Sequence, residues 1–187
     1  MISVWAAARR RLPFRAINRP GTADYDPGLQ RHHLLPRQLL SRRCFEPMFA
    51  ALGHGRIGFD DFRTNGMLLP ACDAAAMRMA MPLHRRPHRR YSGMVIERIG
   101  RIEAGWAERR LRRGLDAASE QALMQIWLVQ RALRRRLLQG GQKRFALNRR
   151  DLLGQPLDFF ELDAMADMLW AESQGAASRV VSSAFAA

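Results

Sequence analysis

The amino-acid sequence predicts an α+β fold that is mostly helical, with a small strand-containing core and a helical C-terminal extension. Two observations lead there. Apolar residues recur at helical spacing through long windows of the second half, and two short extended segments flank Asn65-Gly66 in the first half. At 187 residues the chain can bury an ordinary core without disulfides or metal staples, so one principal domain with an appendage is expected.

Residues 1–28 are basic, contain Pro13, Pro20, Gly21, Pro27 and Gly28, and hold no sustained period, which predicts an irregular N-terminal arm. Residues 30–35 read as a short extended run that brings His32 and His33 to the surface and is stopped by Pro36. Phe45, Met48, Phe49 and Leu52 at helical spacing predict a short helix over 42–52, ended by Gly53. Residues 55–62 and 67–69 read as brief extended pieces around a hairpin turn at Asn65-Gly66, closed by Pro70. Met77, Met79 and Met81 read as gap-filling core.

Beyond Pro87 a long helix is predicted, because Met94, Val95, Ile99, Ile102 and Trp106 share one face. Proline suits a first helical turn, which sets His88 at the helix N-terminus and His84 in the approach to it. A second helix, over 119–139, would turn Leu123, Ile126, Trp127, Leu133 and Leu137 inward, carry Arg134, Arg135 and Arg136 in its last turns, and stop at Gly140-Gly141. A third, over 158–172, opens on an Asp158-x-x-Glu161 capping pattern with Leu157 placed to staple onto Leu162; residues 173–187 are small and expected to fray.

Formal net charge is +14 with a pI near 11.6, more than solubility requires, and points to a polyanionic partner. Nucleic acid is the first candidate and an anionic membrane surface the second. Residues 1–150 carry 30 of the 31 basic and 11 of the 17 acidic side chains, a net of +19, whereas 151–187 carry one Arg and six acids, a net of −5. The basic surface therefore belongs to the histidine-bearing part. Cys44 and Cys72 are too far apart for a Cys-x-x-Cys pair and make no disulfide framework, which suits a reducing compartment. No apolar run reaches membrane-spanning length, and Arg9, Arg10 and Arg11 are followed by no hydrophobic segment. A cytoplasmic protein with no membrane partner is expected, with export by a route that uses no N-terminal signal as the alternative.

Four of the five histidines, His32, His33, His84 and His88, fall with Asn65 in one arginine-rich window. Phosphodiester hydrolysis needs an activated water, a base to take its proton, and positive charge as negative charge develops on the phosphate. Neutral imidazole binds transition metals, and side chains of adjacent residues in an extended segment face opposite ways, so neighbouring histidines can hold different duties. Arg85, Arg86, Arg89 and Arg90 bracket the second histidine pair, where cations beside a phosphate are of most use. Asp60 and Asp61 read as turn or cap residues before extra ligands, and His54, between Gly53 and Gly55, as an exposed loop residue. Arg109, Arg110, Arg112, Arg113 and Arg134 to Arg136 lie away from this window and read as general nucleic-acid affinity or solvated surface.

The ordered series His32-His33-Leu34-Leu35-Pro36, Gly58-Phe59-Asp60-Asp61, Asn65-Gly66-Met67-Leu68-Leu69-Pro70 and His84-x-x-x-His88-x-x-Tyr91 resembles the AHH family of the HNH and endonuclease VII superfamily over about residues 29–104. The resemblance implies a ββα-metal nuclease core within 29–107, preceded by the arm 1–28 and followed by a helical extension over 108–172 and a tail over 173–187. It implies one divalent ion, Zn²⁺, Ni²⁺ or Mg²⁺, held by His32, His84 and His88; His33 as the base acting on water; and Asn65 orienting His33 or positioning the hairpin turn. Arg31, Arg85, Arg86, Arg89, Arg90 and Tyr91 are the residues it puts near nucleic acid, with support of the helix start as the alternative for Tyr91. Arg31 stands where the family name has alanine.

The function so implied is a metal-dependent endonuclease, acting on DNA before RNA with little sequence preference. A bacterial toxin-type nuclease, with an inhibitory immunity protein as partner, belongs to the same expectation. The competing expectation is a non-catalytic nucleic-acid-binding protein whose histidines hold a structural zinc, for which Cys72 is the obvious fourth ligand.

Overall fold

The computed structural model describes residues 10–85 and 88–139, together with Leu147, Ala164, Asp167, Met168 and Trp170. The expected glycine stop at 140–141, most of the helix over 158–172, the tail over 173–187, Arg86 and Pro87 lie outside the described residues. The fold is α+β and mostly helical, with one two-stranded antiparallel sheet.

Strand β1 (Leu29–His33) pairs with β2 (Gly66–Pro70), in a register that sets His32 opposite Met67 and His33 opposite Gly66. The hairpin predicted around Asn65-Gly66 is therefore not formed. Residues 55–62 are helical and turn-like instead of extended: short helices α1 (Glu46–Leu52), α2 (His54–Ile57) and α3 (Phe62–Asn65) fill the long connection between the two strands. Asp61 caps α3, its carboxylate accepting from the Arg63 N–H at 3.2 Å, and this cap outweighs the local extended tendency. Gly66 follows with extended backbone, and a Cβ there would run into the ring and carbonyl of Phe62. His54 is exposed as expected, but at the start of α2 rather than in a loop.

Helix α4 (Asp73–Met79) follows β2. Of the three methionines assigned to the core, Met81 is buried and Met79 packs against it, while Met77 is 69% exposed because it falls on the solvent side of α4. The two long helices are α5 (Arg89–Arg113) and α6 (Leu115–Leu138). The predicted inner face of α5 is buried in full: Met94, Val95, Ile99, Ile102 and Trp106, with Tyr91 one turn earlier. Gly114 alone separates α5 from α6; its φ of 84° is a left-handed value that glycine takes without a Cβ penalty, and it folds α6 back onto α5. Helix α5 is continuous across residue 107.

The main core cluster joins both long helices to α1, Leu34, Leu35 and Leu69, and a smaller one sets Leu128 and Ala132 of α6 against Trp170. Leu34 and Leu35 have no exposed surface, and burial of such side chains contributes about 1.5–3 kcal/mol each. They anchor the chain directly after the histidine pair. Trp127 departs from its predicted inward position: it is 37% exposed and its indole N–H donates to the Arg56 carbonyl at 3.2 Å. Trp106 instead fills the interior, its indole bonded to the Ser119 hydroxyl at 3.3 Å. Among the described residues, no helix is long and apolar enough to cross a membrane.

Candidate metal centre and active site

Alternation along β1 sends His32 and His33 to opposite faces. His32 turns inward and is buried, meeting His84, which precedes α5, and His88, which stands at its N-cap. Ring centroids are 5.0 Å apart for His32 and His84, 5.7 Å for His32 and His88, and 4.5 Å for His84 and His88. One nitrogen from each ring lies within 4.8 Å of the other two, so the three could share a single ion. The ring of Tyr91 closes the floor, edge-on to His32 at 5.0 Å.

The residues present fit a transition metal. Among the described residues His32 Nε2 is buried and has no hydrogen-bond partner, a costly state for an imidazole nitrogen unless something else takes its lone pair. His84 Nδ1 lies 3.1 Å from Gln30 Oε1, and His88 Nδ1 lies 3.4 Å from the Leu147 carbonyl. With Nδ1–H donating to these oxygens, each ring keeps Nε2 as the free lone pair, the usual arrangement behind ligating histidines. Burial lowers the pKa of His32 well below the ordinary imidazole value, with His84 and His88 adding to the effect. Burial, then the neighbouring His88, brings His84 down to about 4, and burial also lowers His88. All three are neutral at neutral pH, as ligation requires.

His33 faces away from this cluster and is half-buried. Its pKa is lowered by burial and then by Arg37 and Arg31, against an opposing pull from Asp60. Its ring lies flat on Phe14, with centroids 3.8 Å apart and planes 4° apart. The N-terminal arm, expected to be irregular, does lack sustained secondary structure from Arg10 to Gly28 apart from a 3₁₀ turn at Phe14–Ala16. It is nevertheless fastened down. Leu12 N–H donates to Asp61 at 3.1 Å, Phe62 N–H to the Leu12 carbonyl at 2.7 Å, and Arg63 to the Arg10 carbonyl at 2.7 Å.

Two expected roles change. Asn65 makes no hydrogen bond to His33 and forms no hairpin turn. It is fully buried, with Oδ1 accepting from Leu35 N–H at 2.7 Å and Nδ2 donating to the Leu35 and Phe59 carbonyls, each at 3.2 Å. Its side chain thus pins the backbone just after the histidine pair. Tyr91 is not available to nucleic acid: it is 1% exposed, its hydroxyl donates to the Leu34 carbonyl at 2.8 Å, and burial raises its pKa far above the ordinary phenol value.

The arginines divide. Arg89 and Arg90 are exposed in the first turn of α5, beside His88. Arg85 is exposed and lies 3.4 Å from Asp73. Arg31 is exposed, yet one guanidinium nitrogen donates to the Phe14 carbonyl at 2.9 Å. Arg134, expected to be surface charge, is structural: its Nη2 donates to the carbonyls of Arg63, Thr64 and Gly66 at 2.7, 3.3 and 2.9 Å. Arg136 is 3% exposed rather than solvated. Helix α6 thereby clamps the start of β2, and its Gln130 donates to the Ile57 carbonyl at 3.3 Å.

Phe14, Gln30 and Arg134 were not legible as site residues. For Gln30 a signal existed, since it lies two residues before His32 on the same strand face. Phe14 and Arg134 come from segments without any spacing relation to the histidines. Cys72 does not join the cluster; among the described residues the group comprises His32, His84 and His88 alone.

A family model described as a nuclease family of the HNH/ENDO VII superfamily with conserved AHH matches residues 14–127. No curated protein and no solved structure gives a significant match.

Proposed function

Because the chain belongs to the AHH nuclease family of the HNH/ENDO VII superfamily, we propose that it is a metal-dependent endonuclease that hydrolyses DNA phosphodiester bonds with little sequence preference. The observation that carries this reading is the division of labour on β1. His32 meets His84 and His88 in a three-imidazole cluster with an orphaned Nε2, while His33 stands next to it on the other face. Three protein ligands leave positions open for water and phosphate, the arrangement of catalytic rather than structural sites, and no thiolate is at hand to close the shell.

On this reading His32, His84 and His88 hold one divalent ion, for which imidazole donors suit Zn²⁺ or Ni²⁺ better than Mg²⁺. When bound, the ion supplies Lewis-acid stabilisation of charge developing on the phosphate oxygens. His33, neutral at neutral pH, accepts the proton of the attacking water through a ring nitrogen. Arg89 and Arg90, at the positive end of the α5 dipole, hold a neighbouring phosphate. Asn65, Leu34 and Leu35 fix the backbone that carries both histidines. Phosphate contacts of this kind carry no base information, so binding is salt-dependent and weakly selective. A toxin-type role, held in check by an inhibitory partner protein, belongs to the same reading.

The test is nicking of supercoiled plasmid by the purified chain, with EDTA and with Zn²⁺, Ni²⁺ or Mg²⁺ restored, beside His33→Ala and a single-stranded RNA of similar length. Wild type is expected to nick DNA with a divalent ion, to stop in EDTA, and to lose about 10²–10⁴-fold in rate on His33→Ala. Equal nicking by wild type and variant, or none with any ion, would sink the catalytic reading.

A further inference from the structure

We propose that Phe14 is a positioning residue for His33, and that Arg31, standing where the family signature has alanine, is the tie that brings Phe14 there. The inference rests on the reading of His33 as the base. It adds to that reading a part of the active site that lies in the N-terminal arm.

A histidine on an extended strand has a broad, roughly two-fold choice of ring orientation, and a half-exposed ring samples it freely. In this chain the breadth of that choice is cut down to the plane of the stack. The Phe14 ring covers one face of His33 at 3.8 Å and nearly parallel, so turning the imidazole out of that plane would cost the stack. Phe14 is itself held edge-on by Phe62 at 5.2 Å. The stack shields one face of the imidazole from water.

Arg31 completes the device. It lies two residues before His33 and so projects from the same face of β1, toward the arm. Its Nη1 donates to the carbonyl of Phe14, the residue whose ring meets His33. An alanine at 31 could make no such bond. The arm's other ties, Leu12 to Asp61, Phe62 to Leu12 and the Pro13–Asp61 bridge, hold it to the α3 side, and the Ile17 N–H that also reaches the Phe14 carbonyl, at 3.2 Å, only closes the local turn; Arg31 is what ties that carbonyl to β1. The departure from the signature at residue 31 and the aromatic at residue 14 are thus two halves of one arrangement.

The experiment compares Phe14→Leu, Phe14→Tyr and Arg31→Ala with wild type and His33→Ala in the full-length chain. It measures kcat and KM on plasmid DNA, and the ring-proton NMR resonances of His33, assigned by their loss in His33→Ala. Phe14→Leu is expected to lower kcat about 10- to 100-fold through misplacement of the base, with KM within about twofold of wild type. The His33 ring protons should then move downfield as the ring current of Phe14 is lost. Phe14→Tyr, which keeps the ring, should restore most of the lost rate. Arg31→Ala should reproduce part of the kcat loss and part of the NMR shift, with an unchanged salt slope.

If His33→Ala is inactive while Phe14→Leu turns over at the wild-type rate, the base reading stands and the positioning role is overturned. Unmoved His33 resonances in Phe14→Leu overturn it equally. An Arg31→Ala variant with raised KM, a salt slope lowered by about one and unchanged kcat would make Arg31 a phosphate contact and remove it from the proposal. If His33→Ala nicks like wild type, the base reading itself fails and this inference falls with it.

Discussion

His32 and His33 are the same residue type, joined by one peptide bond, and their surroundings have almost nothing in common. His32 points into the protein, where burial, two further imidazoles and the Tyr91 ring surround it and its Nε2 finds no hydrogen bond. His33 points the other way, half-buried under Phe14, with Arg31, Arg37 and Asp60 as its charged neighbours. A strand of five residues is enough to separate a three-imidazole cluster from a ring stacked on the arm because its side chains alternate. The two also depend on different parts of the chain. The His32 side is completed by the approach to α5, its N-cap and the Leu147 carbonyl; the His33 side is completed by the arm.

The comparison can be broken most directly at the two residues themselves. His32→Ala is expected to abolish both metal binding and nicking, whereas His33→Ala should bind metal as wild type does and lose only the rate. Zinc or nickel titration by calorimetry, read beside plasmid nicking, separates the two losses. A thermal melt gives a second view: ligand at 100 times Kd stabilises by about 2.7 kcal/mol, an increment expected in His33→Ala and absent in His32→Ala. Loss of metal from His33→Ala would erase the distinction.

A smaller effect tests the support of the metal side. Gln30→Leu removes the oxygen facing His84 Nδ1 and leaves the ligands intact. Metal affinity should fall about 10- to 100-fold, the usual cost of losing such a partner. Unchanged affinity would mean that the Gln30 contact does not orient His84.

The smallest expected effect is on the pH dependence of stability of the metal-free protein. His32, His84 and His88 all have folded pKa values below the unfolded value of about 6.5, His84 at about 4. Between those values the unfolded chain binds more protons than the folded one, so stability rises with pH through the window and is lost as pH falls. Urea midpoints at pH 4.5, 5.5 and 7.0 should increase in that order, and the slope should shrink in His84→Leu. A flat profile in wild type would place these imidazoles in a more open setting than the structure gives.

How much of this was legible depended on whether the signal was local. The buried face of α5 could be read residue by residue, because helical periodicity and burial are the same pattern seen twice. The extended run at the histidine pair, Asp61 as a cap and the exposure of His54 were local as well. The hairpin at Asn65-Gly66 failed for the converse reason. Asn-Gly is a turn signal only when the strands on either side pair with each other, and here β2 pairs with a strand more than thirty residues upstream. Tyr91 and Arg134 were misjudged because their polar ends reach backbone carbonyls far away in sequence, at Leu34 and at 63–66.

By itself the sequence determined the helical class, the basic body, the inner face of α5 and the series of histidines that marks the family, since each is a matter of residue type and near spacing. Only the tertiary structure decided that His32, His84 and His88 share one ion's worth of space and that Phe14 lies on His33. It alone made Asn65 and Arg134 into clamps on the strand ends. The Asn65 bond to Leu35 and the Arg134 bond to Arg63 join residues 30 and 71 positions apart, and no periodicity within a segment carries information about which distant segment will pack against it.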